Sequence, residues 1–210
     1  MNNEGFTLIE VVVAAALIAI IAILLYFPYR GSYRSYHTSS IETNIEENVR
    51  IAMRRMIKEL GAGMIIIPEG SNNAKDGSIN YGYTESSPYK IAIYLPDDSD
   101  PKTNGDTVTL YSALPDDLST SKQPIDPVRI SSRDTPLLYI RRYDDTDTSW
   151  ENPERIIRPQ NNLKVTQLNF ILGGDNEDKV IITLEIAQKE SVSENWRTYK
   201  LISSVKLGAR

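Results

Sequence analysis

The sequence predicts an α+β fold: a long N-terminal helix, transmembrane in its first half, packed on an antiparallel β-sheet. Three observations predict it. The run from Gly5 to Pro28, GFTLIEVVVAAALIAIIAILLYFP, is apolar apart from one acid, Glu10. Between Ile41 and Leu60 apolar residues recur every three or four positions, the period of a helix with one greasy face. From Lys90 onward, alternating or β-branched segments are divided by stretches rich in Asp, Asn, Ser, Gly and Pro, the pattern of short strands joined by turns.

The first run is long enough to cross a membrane. Leu8 to Phe27 is 20 residues, and a helix of that length rises about 30 Å, the thickness of a bilayer core. A buried soluble helix can also be apolar all round, but it rarely holds such a run without a charge. The leader before it, MNNEG, has no Lys or Arg, and the far end is Leu24-Leu25-Tyr26-Phe27-Pro28. A secretory signal has a basic start and small residues before its cut, so cleavage at the far end is not expected. Glu10 stands inside the apolar run. A carboxylate at the bilayer centre costs roughly 2.5–3.5 kcal/mol and less near an interface. Position alone leaves two readings of it open: a functional residue, or a solvated side chain at headgroup level.

The order Gly5-Phe6-Thr7-Leu8-Ile9-Glu10 ahead of an apolar run resembles the prepilin processing site of type IV pilins and type II secretion pseudopilins. The resemblance implies cytoplasmic cleavage between Gly5 and Phe6 by a prepilin peptidase and N-methylation of Phe6. It also implies a role for Glu10 in assembly, with the apolar helices packed in a filament core. The chain departs from that pattern in its leader, which has Glu4 where such leaders usually carry a base.

The resemblance supplies domain boundaries: a leader over 1–5, a transmembrane segment over 6–28, the amphipathic second half of the long helix with its exit over 29–67, and a β-rich pilin-like domain over 68–210. The implied partners are other pilin or pseudopilin subunits, the prepilin peptidase, an inner-membrane assembly platform and the membrane itself. The N-terminus would lie inside and the C-terminal domain outside. Arg30 and Arg34, taken alone, argue the opposite orientation; the resemblance outweighs two arginines.

Composition sets further bounds. The chain has 210 residues, so one modest domain fits beyond the anchor. A net charge of −5 argues against direct, broad binding of nucleic acid. There is no cysteine, so an exported domain must rely on its core. The single histidine, His37, rules out a site built on two.

After the apolar run, Tyr26, Phe27, Tyr29, Tyr33 and Tyr36 crowd one stretch. Tyrosine suits the membrane–water boundary, with one apolar end and one wet end, and that belt is preferred here to a path for electrons. Pro28 deprives the Leu24 carbonyl of its helical partner, which predicts a kink; pilins carry a proline near this point, and the resemblance implies that the helix passes through it. Ser39 and Glu42 have the spacing of a capping box, which would help a helix begin or restart there. The stripe Ile41, Ile45, Val49, Ala52, Met53, Met56, Leu60 is expected to pack on the chain's own sheet rather than serve as a partner's groove. Glu46 and Arg50 form an i,i+4 pair with the acid first, and Gly61 reads as the helix stop. The segment ENVRIAMRRMIKELGAG resembles the second half of the long helix in the PilW class of minor pilins and the J class of minor pseudopilins.

Strands are expected over Lys90–Leu95, Thr107–Ser112, Leu137–Tyr143, Leu163–Leu172, Lys179–Ala187 and Arg197–Leu207. Gly173–Asp178 reads as a hairpin connection, and no helix-length crossover separates the strands, so neighbours should pair antiparallel. Asn72–Pro88, Pro96–Asp106 and Pro115–Pro127 are turn-rich. Acids gather in three places: Asp97, Asp98, Asp100 and Asp106; Asp144, Asp145 and Asp147; Asp175, Glu177 and Asp178. Calcium takes six to eight oxygens, which loops like these can supply, but no EF-hand spacing occurs; solvated turns are the expectation, with calcium the alternative and no other cofactor assigned. No Ser/His/Asp set, phosphate loop or zinc spacing appears, and no strand concentrates basic and aromatic residues. Arg141, Arg142 and Tyr143 are expected to form a solvent-facing edge.

The resulting reading is a structural subunit, not an enzyme: a minor pilin or pseudopilin in the assembly or priming of a type IV pilus or type II secretion pseudopilus. The alternatives are a competence pseudopilus subunit for DNA uptake, or a surface-anchored adhesin or hydrolase exported by a pilin-like N-terminus.

Overall fold

The computed structural model describes residues 7–63, 65–68, 83–96, 104–115, 124–129, 135–144, 149–157, 163–173, 178–190 and 195–208. The chain divides into two compact units, Met1–Ile41 and Glu42–Arg210. One helix, α1, runs over Leu8–Ala62. Among the described residues nine strands follow: β1 Ile65–Ile66, β2 Lys90–Pro96, β3 Asn104–Ala113, β4 Leu137–Asp144, β5 Ser149–Trp150, β6 Glu154–Arg155, β7 Leu163–Gly173, β8 Lys179–Lys189 and β9 Trp196–Lys206. A long N-terminal helix followed by antiparallel sheets is the expected α+β architecture, and all six expected strands form, with ends within a few residues of those read from the sequence.

In the first unit, α1 continues unbroken through Pro28. The apolar side chains from Leu8 to Phe27 stand exposed, and the helix is long and apolar enough to cross a membrane. The Ser39–Glu42 reading is corrected here. These residues lie within α1, where backbone N–H groups already have carbonyl partners one turn earlier, so no helix start exists for them to cap.

In the second unit, the helical stripe behaves as its period requires. Ile45, Val49, Ala52, Met53, Met56 and Leu60 are all buried, each no more than 2 % exposed. Arg50 donates from Nε to Glu46 Oε1 at 2.8 Å on the exposed side. The helix ends at Ala62 rather than Gly61, and Gly63 N–H closes a last tight turn on the Leu60 carbonyl at 3.1 Å. A Cβ at Gly63 would lie 2.7 Å from Ile93 Cδ1. The absence of a side chain there lets the helix end meet β2.

The strands divide between two sheets. One has the order β1-β2-β3-β4-β5, with β6 also on β4; the other is β7-β8-β9. All pairings between these strands are antiparallel. Strands β1, β5 and β6 have two residues each and show no period in the sequence. Gly173 pairs with Lys179, so the Gly173–Asp178 stretch does connect a hairpin. The sheets are stitched where Phe170 N–H meets the Pro88 carbonyl at 2.7 Å and Val165 N–H meets that of Pro136 at 2.8 Å. Past β9, Gly208 N–H donates to the Gly63 carbonyl at 3.1 Å.

The expected solvent-facing edge at Arg141–Tyr143 is overturned. Strand β4 is interior, with β3 on one side and β5 and β6 on the other. Arg141 and Tyr143 are buried. Arg141 Nε donates to the Glu151 carbonyl at 3.0 Å, and its guanidinium lies over the Trp150 ring at 4.9 Å. Arg142 reaches Glu59 of α1 at 2.6 Å. The cations are retained inside because each meets a carbonyl, a ring face or a carboxylate. A second clamp runs from Arg55 to Glu154 on β6, with Arg55 Nη1 to Glu154 Oε1 at 2.9 Å. That guanidinium holds the Glu154 carboxyl below its ordinary range, chiefly by hydrogen bonding.

Candidate assembly site

Thr7 immediately precedes α1, and Glu10 sits in its first turn. The spacing Thr-x-x-Glu is that of a capping box, and the geometry follows it in part. The Glu10 carboxylate reaches back so that Oε2 accepts the Thr7 backbone N–H at 2.8 Å and the Thr7 hydroxyl, also at 2.8 Å. The Glu10 N–H in turn donates to the Thr7 carbonyl at 3.1 Å. A carboxylate here satisfies an orphan donor and complements the positive end of the helix dipole. Both side-chain bonds fall on one oxygen, so Oε1 faces no donor among the described residues. Thr7 was missed as a partner of Glu10 in the sequence, although the Thr7–Glu10 spacing carried the signal.

Gly5 and Phe6, the expected cleavage and methylation residues, lie outside the described residues. So do Asp97, Asp98, Asp100, Asp145, Asp147, Asp175 and Glu177. Of the remaining acids, Asp178 binds Lys206 Nζ at 2.9 Å, and that hydrogen bond holds its carboxyl below the ordinary range. Among the described residues, no group of three or more His, Asp and Glu side chains is placed to hold a metal ion.

The aromatic residues of the first unit are exposed and touch in series along the helix. Tyr26 and Phe27 meet edge to face at 6.0 Å, Tyr29 and Tyr33 stack at 6.5 Å, and Tyr33 meets the His37 ring at 4.3 Å. Exposed tyrosines following an exposed apolar stretch have the order expected where a span leaves the hydrocarbon for the headgroups.

Residues 1–26 match the family described as the prokaryotic N-terminal methylation motif. No curated protein and no solved structure matches the chain. The chain thus carries the prepilin-type signal of pilin-like proteins at the head of a long apolar helix that suits membrane anchoring, and antiparallel sheets follow that helix.

Proposed function

We propose that this protein is a minor pilin or pseudopilin, a non-catalytic structural subunit in the assembly or priming of a type IV pilus or a type II secretion pseudopilus. The observation that carries the reading is the match of residues 1–26 to the methylation motif, whose Glu10 caps the first turn of an apolar helix. On this reading the prepilin peptidase cuts between Gly5 and Phe6, Phe6 is N-methylated, and the leader 1–5 is lost. Residues 6–28 form the span, with the N-terminus inside and the domain outside. The second half of the helix and its exit occupy 29–67, and the β-rich domain 68–210. The partners are other pilin or pseudopilin subunits and the inner-membrane assembly platform.

Glu10 acts in assembly. An ionised carboxylate in an apolar phase needs a partner. Cleavage frees an amine on Phe6 of every subunit, four residues ahead of Glu10 in the sequence. Oε1 of one subunit can therefore receive the amine of its neighbour while Oε2 keeps its own helix capped, which would fix axial register.

The test is mass spectrometry of the mature N-terminus. The expected chain begins with methylated Phe6, and replacement of Gly5 by a bulky residue leaves the leader attached. A wild-type chain that begins at Met1 with an unmethylated Phe6 overturns the reading.

A further inference from the structure

Among the described residues, the sheet β7-β8-β9 has one edge closed and one open. β7 is tied to the neighbouring sheet through Val165 and Phe170. Among the described residues β9 pairs only with β8. The register runs without a shift through eleven pairs, from Lys179↔Lys206 to Lys189↔Trp196.

Two flanking bonds fix which backbone groups face β8. Leu207 N–H donates to Asp178 O, and Glu190 N–H donates to Asn195 O, each at 2.8 Å. In an antiparallel ladder hydrogen-bonded pairs alternate, so the odd-numbered residues of β9 bond to β8. The even-numbered ones, Trp196, Thr198, Lys200, Ile202, Ser204 and Lys206, turn their N–H and C=O groups outward. All six are exposed, and none makes a backbone bond across this edge to another described residue. An edge about 37 Å long with no Pro, Gly or bulge is a template for strand pairing.

Charge selects what pairs with it. The cross-strand register puts Lys200 and Lys206 on one face with Lys164, Lys179 and Lys189, against two acids, Glu185 opposite Lys200 and Asp178, which pairs with Lys206 at 2.9 Å. This lysine-rich face belongs to a chain of net charge −5. Lysines on an edge deter pairing with a second basic strand but favour acids directly opposite. Between Lys200 and Lys206 stands Ile202, 61 % exposed. We propose that the open edge of β9 is a strand-addition site for an extended segment of a partner protein, with acids opposite Lys206 and Lys200 and an apolar residue opposite Ile202.

The test uses the full chain in detergent micelles and a synthetic eleven-residue peptide. The peptide carries Asp opposite Lys206 and Lys200, Val opposite Ile202 and Thr elsewhere. Residue-resolved amide exchange is the readout. The odd-numbered amides of β9 should be protected with or without peptide, and the even-numbered ones should slow about tenfold or more only when it is bound. Methylating the peptide amides that face β9 should weaken binding about tenfold or more, because it removes the backbone bonds and keeps the side chains. Ile202→Pro removes an outward N–H together with the Ile202 side chain and should weaken binding at least as much while the odd-numbered amides stay protected. If that variant opens the odd-numbered amides, the double variant Lys200→Glu, Lys206→Glu decides, and it should lose the acidic peptide. No binding overturns the proposal, as does equal binding of the methylated peptide, unchanged binding by the double variant, or binding without new protection of the even-numbered amides. A single-stranded oligonucleotide that binds in the peptide's place marks a polyanion surface and overturns it as well.

Discussion

Thr7 and Glu10 share one carboxylate oxygen: Glu10 Oε2 accepts both the backbone N–H and the hydroxyl of Thr7. This pairing caps the helix and leaves Oε1 for a donor from elsewhere. Glu10→Gln keeps an acceptor but removes the charge. Membrane insertion and cleavage are expected to remain, with reduced incorporation into filaments. The check is a sheared-filament fraction compared with wild type at matched membrane levels. Equal incorporation would return Glu10 to a capping role alone.

Met56 is fully buried in the stripe, whereas Arg54 on the same helix is exposed. In a fragment starting near Tyr29, expected to be a soluble monomer, Met56→Ala should cost about 2–5 kcal/mol. Arg54→Ala should stay within about 0.5 kcal/mol. Denaturant melts at constant m-value distinguish the two, and a near-zero loss at Met56 would show that the stripe does not support the core.

Gly63→Ala tests the meeting of helix end and β2. The new methyl would sit 2.7 Å from Ile93 Cδ1 and 3.1 Å from Ile93 Cβ, so the strand must move along with the side chain. A loss of about 1–3 kcal/mol is expected, and Ile93→Val in the same background should recover part of it. Wild-type stability for the single variant would mean that the contact yields freely.

The Arg55–Glu154 pair has a pH signature. Glu154 is held below its unfolded pKa by Arg55. Its contribution is therefore present above the unfolded value and lost as pH falls through the lower folded one. The Glu154 side chain is 54 % exposed, so the contribution is below about 1 kcal/mol. Glu154→Gln should flatten the acid limb of stability against pH by that amount. An unchanged acid limb would show that solvent screens the pair completely.

The long elements were legible because burial writes a period into the chain. The stripe Ile45–Leu60 and the alternation in β7 and β8 each report a face that must leave water. Strands β1, β5 and β6 were not legible, since two residues carry no period. The arginines of β4 misled for a different reason. Arg141 and Arg142 look polar in sequence, but Glu151 O, the Trp150 ring and Glu59 reach them only after folding. At the candidate site, Glu10 was legible as a lone acid in an apolar run. The same Ser/Thr-x-x-Glu spacing occurs at Ser39, in the interior of α1, and at Thr7, where a helix does begin. Spacing cannot tell a helix start from a helix interior. The face formed by Lys164, Lys189, Trp196 and Lys200 was hidden for a related reason: three strands supply it, and no single one shows it.

The bond from Gly208 N–H to the Gly63 carbonyl joins residues about 145 positions apart, and this separation dictates a schedule. At roughly 5–20 residues per second, synthesis takes about 7–30 s to travel from one glycine to the other. Until that interval ends, the end of α1 lacks its last donor, the sheet lacks β9 as the second neighbour of β8, and Val205 and Leu207 have not arrived to complete the core. Closure of so long a loop is also slow in its own right. The apolar span is finished long before the unit that follows it can mature. Each new chain therefore passes through a stage in which its apolar span is complete and its globular part is not.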